Sequence, residues 1–383
     1  MARILFAQPS LQPPGGGNGV AAWMLQALLE VGHTVHLLTW WPYAPEAVDD
    51  FYGTHLTGRP LASVRQAPVP LRALDHLPAR LDLLRNALFM RVTAQAERGM
   101  DLVVSCNNEW PGTKPGLNYV HYPARARPRP AADRHAWYHN DLMLQGYYAV
   151  ADGVGGFDGQ ALAGKRVLAN SQWTAARFQA LHGRAAHVLH PPVAGEFQAV
   201  PWAERRAEVL SVGRFSPEKR FEAVIDVVAQ ARALGADLSL RLVGSGGDSA
   251  YRRQVEARAA EQPWITVEAN LPRADLLDRM AHARFGLHAM VDEHFGMAPA
   301  ELVRAGCVTL VHRSGGAQEI VAHPELAWPD EATGAATLAA LATDPARCDA
   351  LRAHLADRRG RFGVPAFTQA FLGHVHAALE GRA

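Results

Sequence analysis

Short apolar runs alternate with longer amphipathic stretches along the whole chain. In the first half, the short runs are rich in Ile, Leu, Val and Ala, as strands are. These strand-like runs are Ile4 to Ala7, Thr34 to Thr39, Leu102 to Ser105, Leu117 to His121, Arg166 to Ala169 and Ala186 to Leu189. Between the first two, Val20 to Val31 has apolar residues at helical spacing and ends at Gly32. Strands that alternate with helices in this way predict a parallel sheet.

A second alternating series follows residues 191–206, whose prolines and charges are typical of a linker. Its predicted strands are Val209 to Val212, Leu238 to Val243, Ile265 to Val267, Phe285 to Met290 and Val308 to Val311. Its predicted helices are Pro217 to Leu234, Ser249 to Glu261, Arg273 to Ala283 and Pro299 to Ala305. A chain of 383 residues is long enough for two hydrophobic cores. We therefore predict two Rossmann-like, doubly wound α/β domains, residues 1–192 and 193–363, with a cleft between them.

The glycine cluster at residues 15–19 is the first candidate ligand site. It stands between a strand and a helix, where backbone amides and the helix dipole favour a phosphate. Residues Gly17 to Ala22 also satisfy the G-x-G-x-x-A pattern of dinucleotide-dependent dehydrogenases. Against that class, the second strand ends in Thr39-Trp40-Trp41, with no acid to hold a ribose diol. A glycine-rich turn without a ligand is the structural alternative.

A basic segment, Ser211 to Arg220, lies between the first strand and the first helix of the second domain. Arg214 offers a planar fork for phosphate oxygens and Lys219 a compact charge, and together they can neutralise a diphosphate. Two basic residues near a turn can equally form a solvated surface. Lysine is scarce, with three among 38 basic residues, and its presence here favours the functional interpretation.

Two glutamates, Glu293 and Glu301, have seven residues between them and stand across a strand-to-helix turn. Pro299 suits the first turn of a helix, so Glu301 is predicted to lie in that turn. One carboxylate could then bind ribose hydroxyls and the other sugar hydroxyls. A favourable acidic charge at a helix N-terminus is the structural alternative for Glu301.

With these motifs in this order, the chain resembles the family-four retaining glycosyltransferases. A further matching motif is Arg313-Ser314-Gly315-Gly316, in which Arg313 stands where the family more often has asparagine. His294-Phe295-Gly296, Tyr119-Val120-His121-Tyr122-Pro123 and Asn170-Ser171-Gln172-Trp173-Thr174 are similar to the α-1,2-mannosyltransferases of lipid-linked oligosaccharide assembly. The resemblance spans nearly the whole chain and implies the GT-B fold.

The resemblance also implies a role for each site residue. Gly16 and Gly17 would approach the donor diphosphate, Arg214 and Lys219 would neutralise it, and Glu301 would hold the ribose. The amides of Phe295, Gly296 and Met297 would reach sugar hydroxyls or phosphate, and Glu293 would hold the transferred sugar. His121 would approach that sugar from the first domain, although one histidine among 18 is more often structural. Residues 364–383, with Phe367, Phe371, Val375 and Leu379 on one helix face, would cross back onto the first domain.

The implied reaction moves a hexose from a nucleotide diphosphate sugar to an acceptor with retention of configuration and without a metal ion. GDP-mannose is favoured as donor and a UDP-sugar is possible, with no other cofactor; the acceptor is a sugar or a lipid-linked molecule. A nucleotide-sugar epimerase or hydrolase and a non-catalytic sugar-nucleotide-binding protein are the alternatives. A glycoside hydrolase would have no use for phosphate-binding elements.

Composition and charge restrict the partners and the cellular location that we expect. The first 190 residues carry 17 basic and 13 acidic side chains (+4), and the remaining residues 21 and 24 (−3). Few aromatic residues accompany the arginines, so a nucleic-acid partner is not expected. The three cysteines lack the spacing of a zinc or disulfide framework, which favours a cytoplasmic location and three unremarkable thiols.

A basic amphipathic surface is also conceivable. Its leucines would be Leu77, Leu81, Leu84 and Leu88, and its arginines Arg80, Arg85, Arg91, Arg125, Arg127, Arg129 and Arg134. Such a surface could contact the inner membrane face or an anionic acceptor. Leucines packed in the core beneath solvated arginines are the alternative interpretation.

Overall fold

The computed structural model describes residues 1–76, 81–113, 115–125, 140–158 and 162–381. The chain divides into two compact units. Unit 1 comprises Met1–Pro192 together with Phe367–Ala383, and unit 2 comprises Val193–Ala366.

Unit 1 is built on a parallel sheet flanked by helices. Its strands are β1 (Arg3–Ala7), β2 (Thr34–Thr39), β3 (Ser63–Gln66), β4 (Leu102–Ser105), β5 (Gly116–Val120), β6 (Lys165–Ala169) and β7 (His187–Val188). Its helices are α1 (Gly16–Glu30), α2 (Pro45–Tyr52), α3 (Val69–Arg72), α4 (Asp82–Ala96), α5 (Asp141–Gly155) and α6 (Gln172–His182), with α14 (Val364–Leu379) from the C-terminal segment. The strand order is β3-β2-β1-β4-β5-β6-β7, and every neighbouring pair is parallel.

The main core of unit 1 lies between β1, β4, β5 and the buried face of α1. Strands β4 and β5 are buried at every residue, as expected for central strands covered on both faces. Phe367, Phe371 and Val375 of α14 lie in the same core, because their four-residue spacing places them on one face of the helix.

Unit 2 repeats the parallel architecture. Its strands are β8 (Arg206–Arg214), β9 (Ser239–Ser245), β10 (Ile265–Ala269), β11 (Ala283–His288), β12 (Val308–His312) and β13 (Ala327–Trp328). Its helices are α7 (Phe221–Ala233), α8 (Ala250–Ala260), α9 (Arg273–His282), α10 (Met297–Ala305), α11 (Ala317–Val321), α12 (Glu331–Thr343) and α13 (Pro345–Ala356). The strand order is β10-β9-β8-β11-β12-β13, and all pairs are parallel. The α/β class and the parallel sheets predicted from the alternating pattern are confirmed.

Helix starts near the candidate sites differ from the prediction. α1 begins at Gly16 rather than Val20, so most of the glycine cluster forms its first turn. α10 begins at Met297 rather than Pro299, because Gly296 adopts φ 102° and caps the helix. The stretch Pro217–Lys219 is a short 3₁₀ turn, and α7 begins only at Phe221.

Among its described members, Arg125 does not fit the predicted amphipathic surface, whereas Arg91 is exposed as that surface requires. Arg125 is 6% exposed, with its Nε 2.8 Å from Asp152 Oδ1 and its guanidinium over the ring of Phe157. Leu81, Leu84 and Leu88 are half-buried on and beside α4. Arg127, Arg129 and Arg134, together with Leu77 and Arg80, lie outside the described residues. No helix in the described part of the chain is long and apolar enough to cross a bilayer.

We expect Phe371→Ala to lower the free energy of unfolding of unit 1 by about 3–5 kcal/mol, the usual cost of removing a buried phenyl ring. Phe371 is fully buried, whereas Gln369 on the same helix is exposed. Urea unfolding, monitored through hydrogen exchange of the β1 amides, reports on the stability of unit 1. The matched variant Gln369→Ala should change the result by less than about 0.5 kcal/mol. Equal effects of the two substitutions would show that α14 does not stabilise this core.

Candidate functional site

The glycine-rich turn of unit 1 presents unpaired helix amides. Gly15 caps α1 at φ 155°, a conformation that favours glycine, and its carbonyl accepts a hydrogen bond from Tyr52 Oη at 2.9 Å. The first helical bond runs from Gly19 N to Gly15 O. The amides of Gly16 and Gly17 precede that bond and therefore lie at the positive end of the helix dipole. This is the local geometry that binds phosphate oxygens.

His121 lies directly against this turn. A Cβ at Gly17 would be 3.1 Å from Nε2 of His121, so glycine allows the imidazole to approach the start of α1. The structure thus brings together two of the predicted site residues, His121 and Gly17.

The backbone of His121 is fixed by two asparagines. Asn108 Oδ1 accepts the hydrogen bond of His121 N–H at 2.9 Å, and Asn170 Nδ2 donates to His121 O at 2.9 Å. Asn108 itself adopts φ 60°, which asparagine tolerates better than most residues. Sequence reasoning assigned no role to Asn108, and it gave Asn170 only as part of a motif.

Cys106 is a second residue that the sequence interpretation missed. Its Sγ lies 3.4 Å from His121 Nε2, so this thiol is not the unremarkable group expected from cysteine spacing. Complete burial raises the pKa of Cys106 far above its ordinary value. The protonated thiol can therefore donate to Nε2.

In unit 2, Lys219 and Glu293 form a largely buried ion pair. Lys219 Nζ lies 2.7 Å from Glu293 Oε2, with side-chain exposures of 17% and 12%. The same ammonium group is 3.1 Å from the sulfur of Met290. A Cβ at Gly213 would lie 3.2 Å from Cγ of Lys219, so this glycine lets the lysine stem lie against β8.

His288, at the end of β11, completes the cluster and was not predicted. Its Nε2 lies 3.0 Å from the same Oε2 of Glu293 that binds Lys219. Burial lowers the pKa of His288, which keeps the ring neutral and able to donate Nε2–H. Burial alone would raise the pKa of Glu293, but the hydrogen bond from His288 and the charge of Lys219 outweigh it and hold that pKa well below its ordinary value.

Lys219 and His288 leave the two carboxylate oxygens of Glu293 unequal. Lys219 and His288 both bind Oε2, and no described residue hydrogen-bonds Oε1. An ionised carboxylate oxygen with free lone pairs can accept a hydrogen bond from a ligand hydroxyl.

The segment from Arg313 to Gly316 supports the loop that carries Glu293. Gly316 N donates to Glu293 O at 2.6 Å, and Asp292 N donates to Ser314 Oγ at 2.7 Å. Gly315 adopts φ 81°, and a Cβ there would be 2.4 Å from Glu293 O. The departure at Arg313 leaves this turn intact, because the Arg313 side chain is exposed while its amide donates to Trp328 O.

Phe295, Gly296 and Met297 form the start of α10. The first helical bond runs from Ala300 N to Gly296 O, so the Met297 amide precedes it at the positive helix end. Phe295 is 3% exposed and packs against Phe362, which anchors the turn in the core of unit 2.

In the described structure, Glu301 and Arg214 are bonded to residues outside the Lys219–Glu293–His288 cluster. Glu301 is in the second turn of α10 rather than the first, because that helix starts earlier than predicted. Its Oε1 lies 2.7 Å from Arg273, a partner that sequence reasoning missed. Arg214 ends β8 with its side chain 72% exposed and pairs with Glu218 at 3.1 Å.

We expect acid to destabilise unit 2 through Glu293. Because its folded pKa is lowered, its contribution to stability is complete above the ordinary carboxyl value of 4.5 and is lost as pH falls toward the folded pKa. Between about pH 5 and about pH 3 the free energy of unfolding should fall more steeply in the wild type than in Glu293→Gln, by at least about 1.4 kcal/mol. Urea unfolding of unit 2 across this range measures both slopes. The exposed control Glu261→Gln should keep the wild-type slope; parallel slopes for the wild type and Glu293→Gln would contradict the assignment.

Comparison with known sequences finds a family model that matches most of unit 2. Residues 194–354 match the model of the glycosyl transferases group 1 family. The human GDP-Man:Man(3)GlcNAc(2)-PP-Dol alpha-1,2-mannosyltransferase is 31% identical over 168 residues, 39% of this chain and 34% of that protein. The mouse protein of the same name is 28% identical over 229 residues, 52% of this chain and 46% of its own length. The matches thus span one third to about half of these relatives.

Solved structures show the same fold over the whole chain. Anabaena Alr3699/HepE in complex with UDP and glucose aligns with a TM-score of 0.68 at 16% identity, covering 98% of this chain and 100% of that one. WaaG, a glycosyltransferase involved in lipopolysaccharide biosynthesis, aligns with a TM-score of 0.63 at 17% identity, covering 99% of both chains. At sequence identities this low, the structural likeness shows a shared fold and nothing more. The resemblance to α-1,2-mannosyltransferases and the GT-B assignment are confirmed: residues 194–354 match the glycosyl transferases group 1 model, in a chain that has the GT-B fold.

Proposed function

We propose that this protein is a retaining glycosyltransferase that moves a hexose, with mannose favoured, from a nucleotide diphosphate sugar to an acceptor. The observation that carries the proposal is the Lys219–Glu293–His288 cluster within a glycosyl transferases group 1 domain. It combines a cation with a carboxylate whose Oε1 has no described partner. A sugar hydroxyl can bind that oxygen, and a leaving phosphate can bind near the ammonium.

Lys219 can serve both groups at once. An ammonium has three N–H donors, and Glu293 and Met290 occupy two of them. The remaining donor can reach a phosphate oxygen without breaking the ion pair. The lysine would then stabilise the leaving diphosphate while still holding Glu293 in place.

Arg214 would add a second cation to the diphosphate. Among the described residues, its exposed guanidinium pairs with Glu218 alone, a weak surface pair that a dianionic ligand can outcompete. The backbone amides of Met297, Gly16 and Gly17 would donate uncharged hydrogen bonds to the nucleotide-sugar donor. Glu301 would hold the ribose, which requires it to share or release Arg273.

In this mechanism the protein positions the reactants and stabilises charge. The acceptor attacks on the face that the diphosphate leaves, and the departing phosphate oxygen takes the acceptor proton. His121 would bind the transferred sugar, with its backbone held by Asn108 and Asn170. Preorganised donors of this kind lower the barrier because they do not reorganise as charge develops.

GDP-mannose is the proposed donor and a UDP-sugar the second choice. The curated relatives are named for GDP-mannose, whereas the Anabaena structure contains UDP and glucose. By the names of the same relatives, a lipid-linked glycan is the proposed acceptor. We propose a cytoplasmic location, with peripheral contact at the inner membrane face giving access to a lipid-linked acceptor.

Donor screening by thermal shift, followed by product analysis, tests this proposal. A donor at about 100 times its dissociation constant should stabilise the protein by roughly 2.7 kcal/mol. Incubation with that donor and an acceptor should give a product with the donor's anomeric configuration. Arg214→Ala should reduce turnover by about tenfold or more with little change in melting, because the removed side chain is largely exposed.

The matched control is Arg253→Ala, which removes another exposed arginine of unit 2 that is paired with Asp248. It should leave turnover unchanged. An epimerised or free sugar as the main product would instead identify an epimerase or hydrolase. Donor binding without any product would identify a binding protein.

We expect transfer to survive EDTA, because Lys219 and Arg214 supply the positive charge that a metal ion would otherwise bring to the diphosphate. Initial rates before and after chelation should agree within about twofold. Loss of activity with EDTA and its recovery with magnesium or manganese would contradict a metal-independent mechanism.

A further inference from the structure

Unit 1 contains a cavity that the proposed function does not use. Its volume is about 230 Å³. It lies at the amino-terminal part of β1, whereas the glycine-rich turn follows the carboxyl end of that strand. The cavity is lined by Arg3, Leu5, His36, Leu37, Leu38, Ser63, Arg65, Gln95, Ala96, Arg98 and Met100.

The register of the parallel strands brings several residues that line the cavity side by side. Leu5, His36 and Ser63 lie side by side on β1, β2 and β3. Arg3 and Arg65 are each two residues from this row, which places them on the same face of the sheet. Gln95, at the end of α4, and Arg98, just beyond it, contribute further lining.

The three arginines of the cavity have no acidic partner in the part of the chain that the structure describes. Within the described ranges, the guanidinium groups of Arg3, Arg65 and Arg98 make no hydrogen bond or ion pair. The nearby carboxylate of Asp101 accepts from the backbone N–H of Arg3 at 2.7 Å. Some other arginines of this unit do form ion pairs, as Arg59 does with Glu30 at 3.0 Å and Arg85 with Asp75 at 2.8 Å.

The side chain of His36 lies in the positive field of the cavity arginines. Its Nδ1 is 2.9 Å from Ser63 Oγ, and its Nε2 is buried without a partner in the described part of the chain. Burial lowers the pKa of His36, and the charges of Arg3 and Arg65 lower it further. A bound anion would reverse the effect of those charges.

Capping of α4 is the structural alternative for these arginines. Cations near a helix C-terminus are stabilising, and the end of α4 borders the cavity. However, none of the three guanidinium groups donates to an α4 carbonyl, and Thr93 O is instead bonded by the backbone N–H of Glu97. Capping therefore does not explain the cluster.

We propose that this cavity binds the phosphate group of a small phosphorylated molecule or lipid headgroup. Arginine forks match phosphate oxygens, and the Ser63 hydroxyl provides a further donor. The cavity is smaller than the usual range of about 300–1,000 Å³ for drug-sized ligands, so it suits a phosphate with a small substituent rather than a nucleotide sugar. An adjoining open groove, lined by Arg91, Ala94, Gln95 and Arg98, leaves room for the rest of the ligand.

Titration of the full chain with inorganic phosphate tests the site, with calorimetry for affinity and NMR of the His36 ring for location. Phosphate should raise the pKa of His36 in the wild type. The double variant Arg65→Gln, Arg98→Gln should bind at least about tenfold more weakly, since each lost charged hydrogen bond is worth that much. Both side chains are exposed and unpaired in the described structure, so folding should be preserved. The exposed control Arg206→Gln should bind phosphate like the wild type.

Lys219→Met separates this cavity from the proposed diphosphate site, and phosphate binding at His36 should survive that substitution. Flotation with vesicles of phosphatidylcholine, with or without phosphatidylglycerol, identifies the source of the phosphate. Flotation that requires phosphatidylglycerol and is lost in the double variant supports a lipid headgroup. Phosphate binding without flotation supports a soluble phosphate ester. An unchanged His36 titration, or binding that is lost in Lys219→Met and kept in the double variant, would overturn the proposal.

Discussion

The buried carboxylate of Glu293 is the constraint around which the site in unit 2 is organised. An ionised carboxylate with 12% exposure is stable only if its charge is paired and its oxygen hydrogen-bonded. Lys219 comes from the turn after β8, His288 from the end of β11, and the supporting turn at Gly315 from the end of β12. One charge thus joins the carboxyl ends of three strands, the edge at which parallel sheets bind ligands.

In unit 1, the backbone of the candidate site residue His121 is held by hydrogen bonds rather than by an ion pair. The described contacts of His121 include hydrogen bonds of neutral groups: the side chains of Asn108 and Asn170 hold its backbone, and the Cys106 thiol contacts its ring. Such an arrangement suits recognition of neutral sugar hydroxyls, whereas the charged cluster of unit 2 suits a diphosphate and the sugar attached to it. The division matches the parts that the proposed reaction assigns to these residues.

The differences between expectation and structure have local causes. Glycine is a poor helix former, so the pattern placed the start of α1 after the glycine cluster, although the turn is held by Tyr52 and by Gly15 at φ 155°. Strand β3 has a single strongly apolar residue, Val64, and is mostly exposed, so no apolar run signals it. Its strand character comes from pairing with β2. Without β3 the cavity with Ser63 and Arg65 could not be foreseen.

The sequence by itself determined the α/β class, the parallel sheets and the identity of most candidate residues, because hydrophobic period, glycine position and motif order are local properties. Only the tertiary structure decided the partners: His288 on Glu293, Arg273 on Glu301, and Cys106 on His121. Cys106 and His121 are 15 positions apart, and Arg273 and Glu301 are 28 apart, with no spacing rule to join them. Such contacts depend on which strand ends lie side by side and which side chains are buried there, and burial with pairing then fixes the charge state of each group.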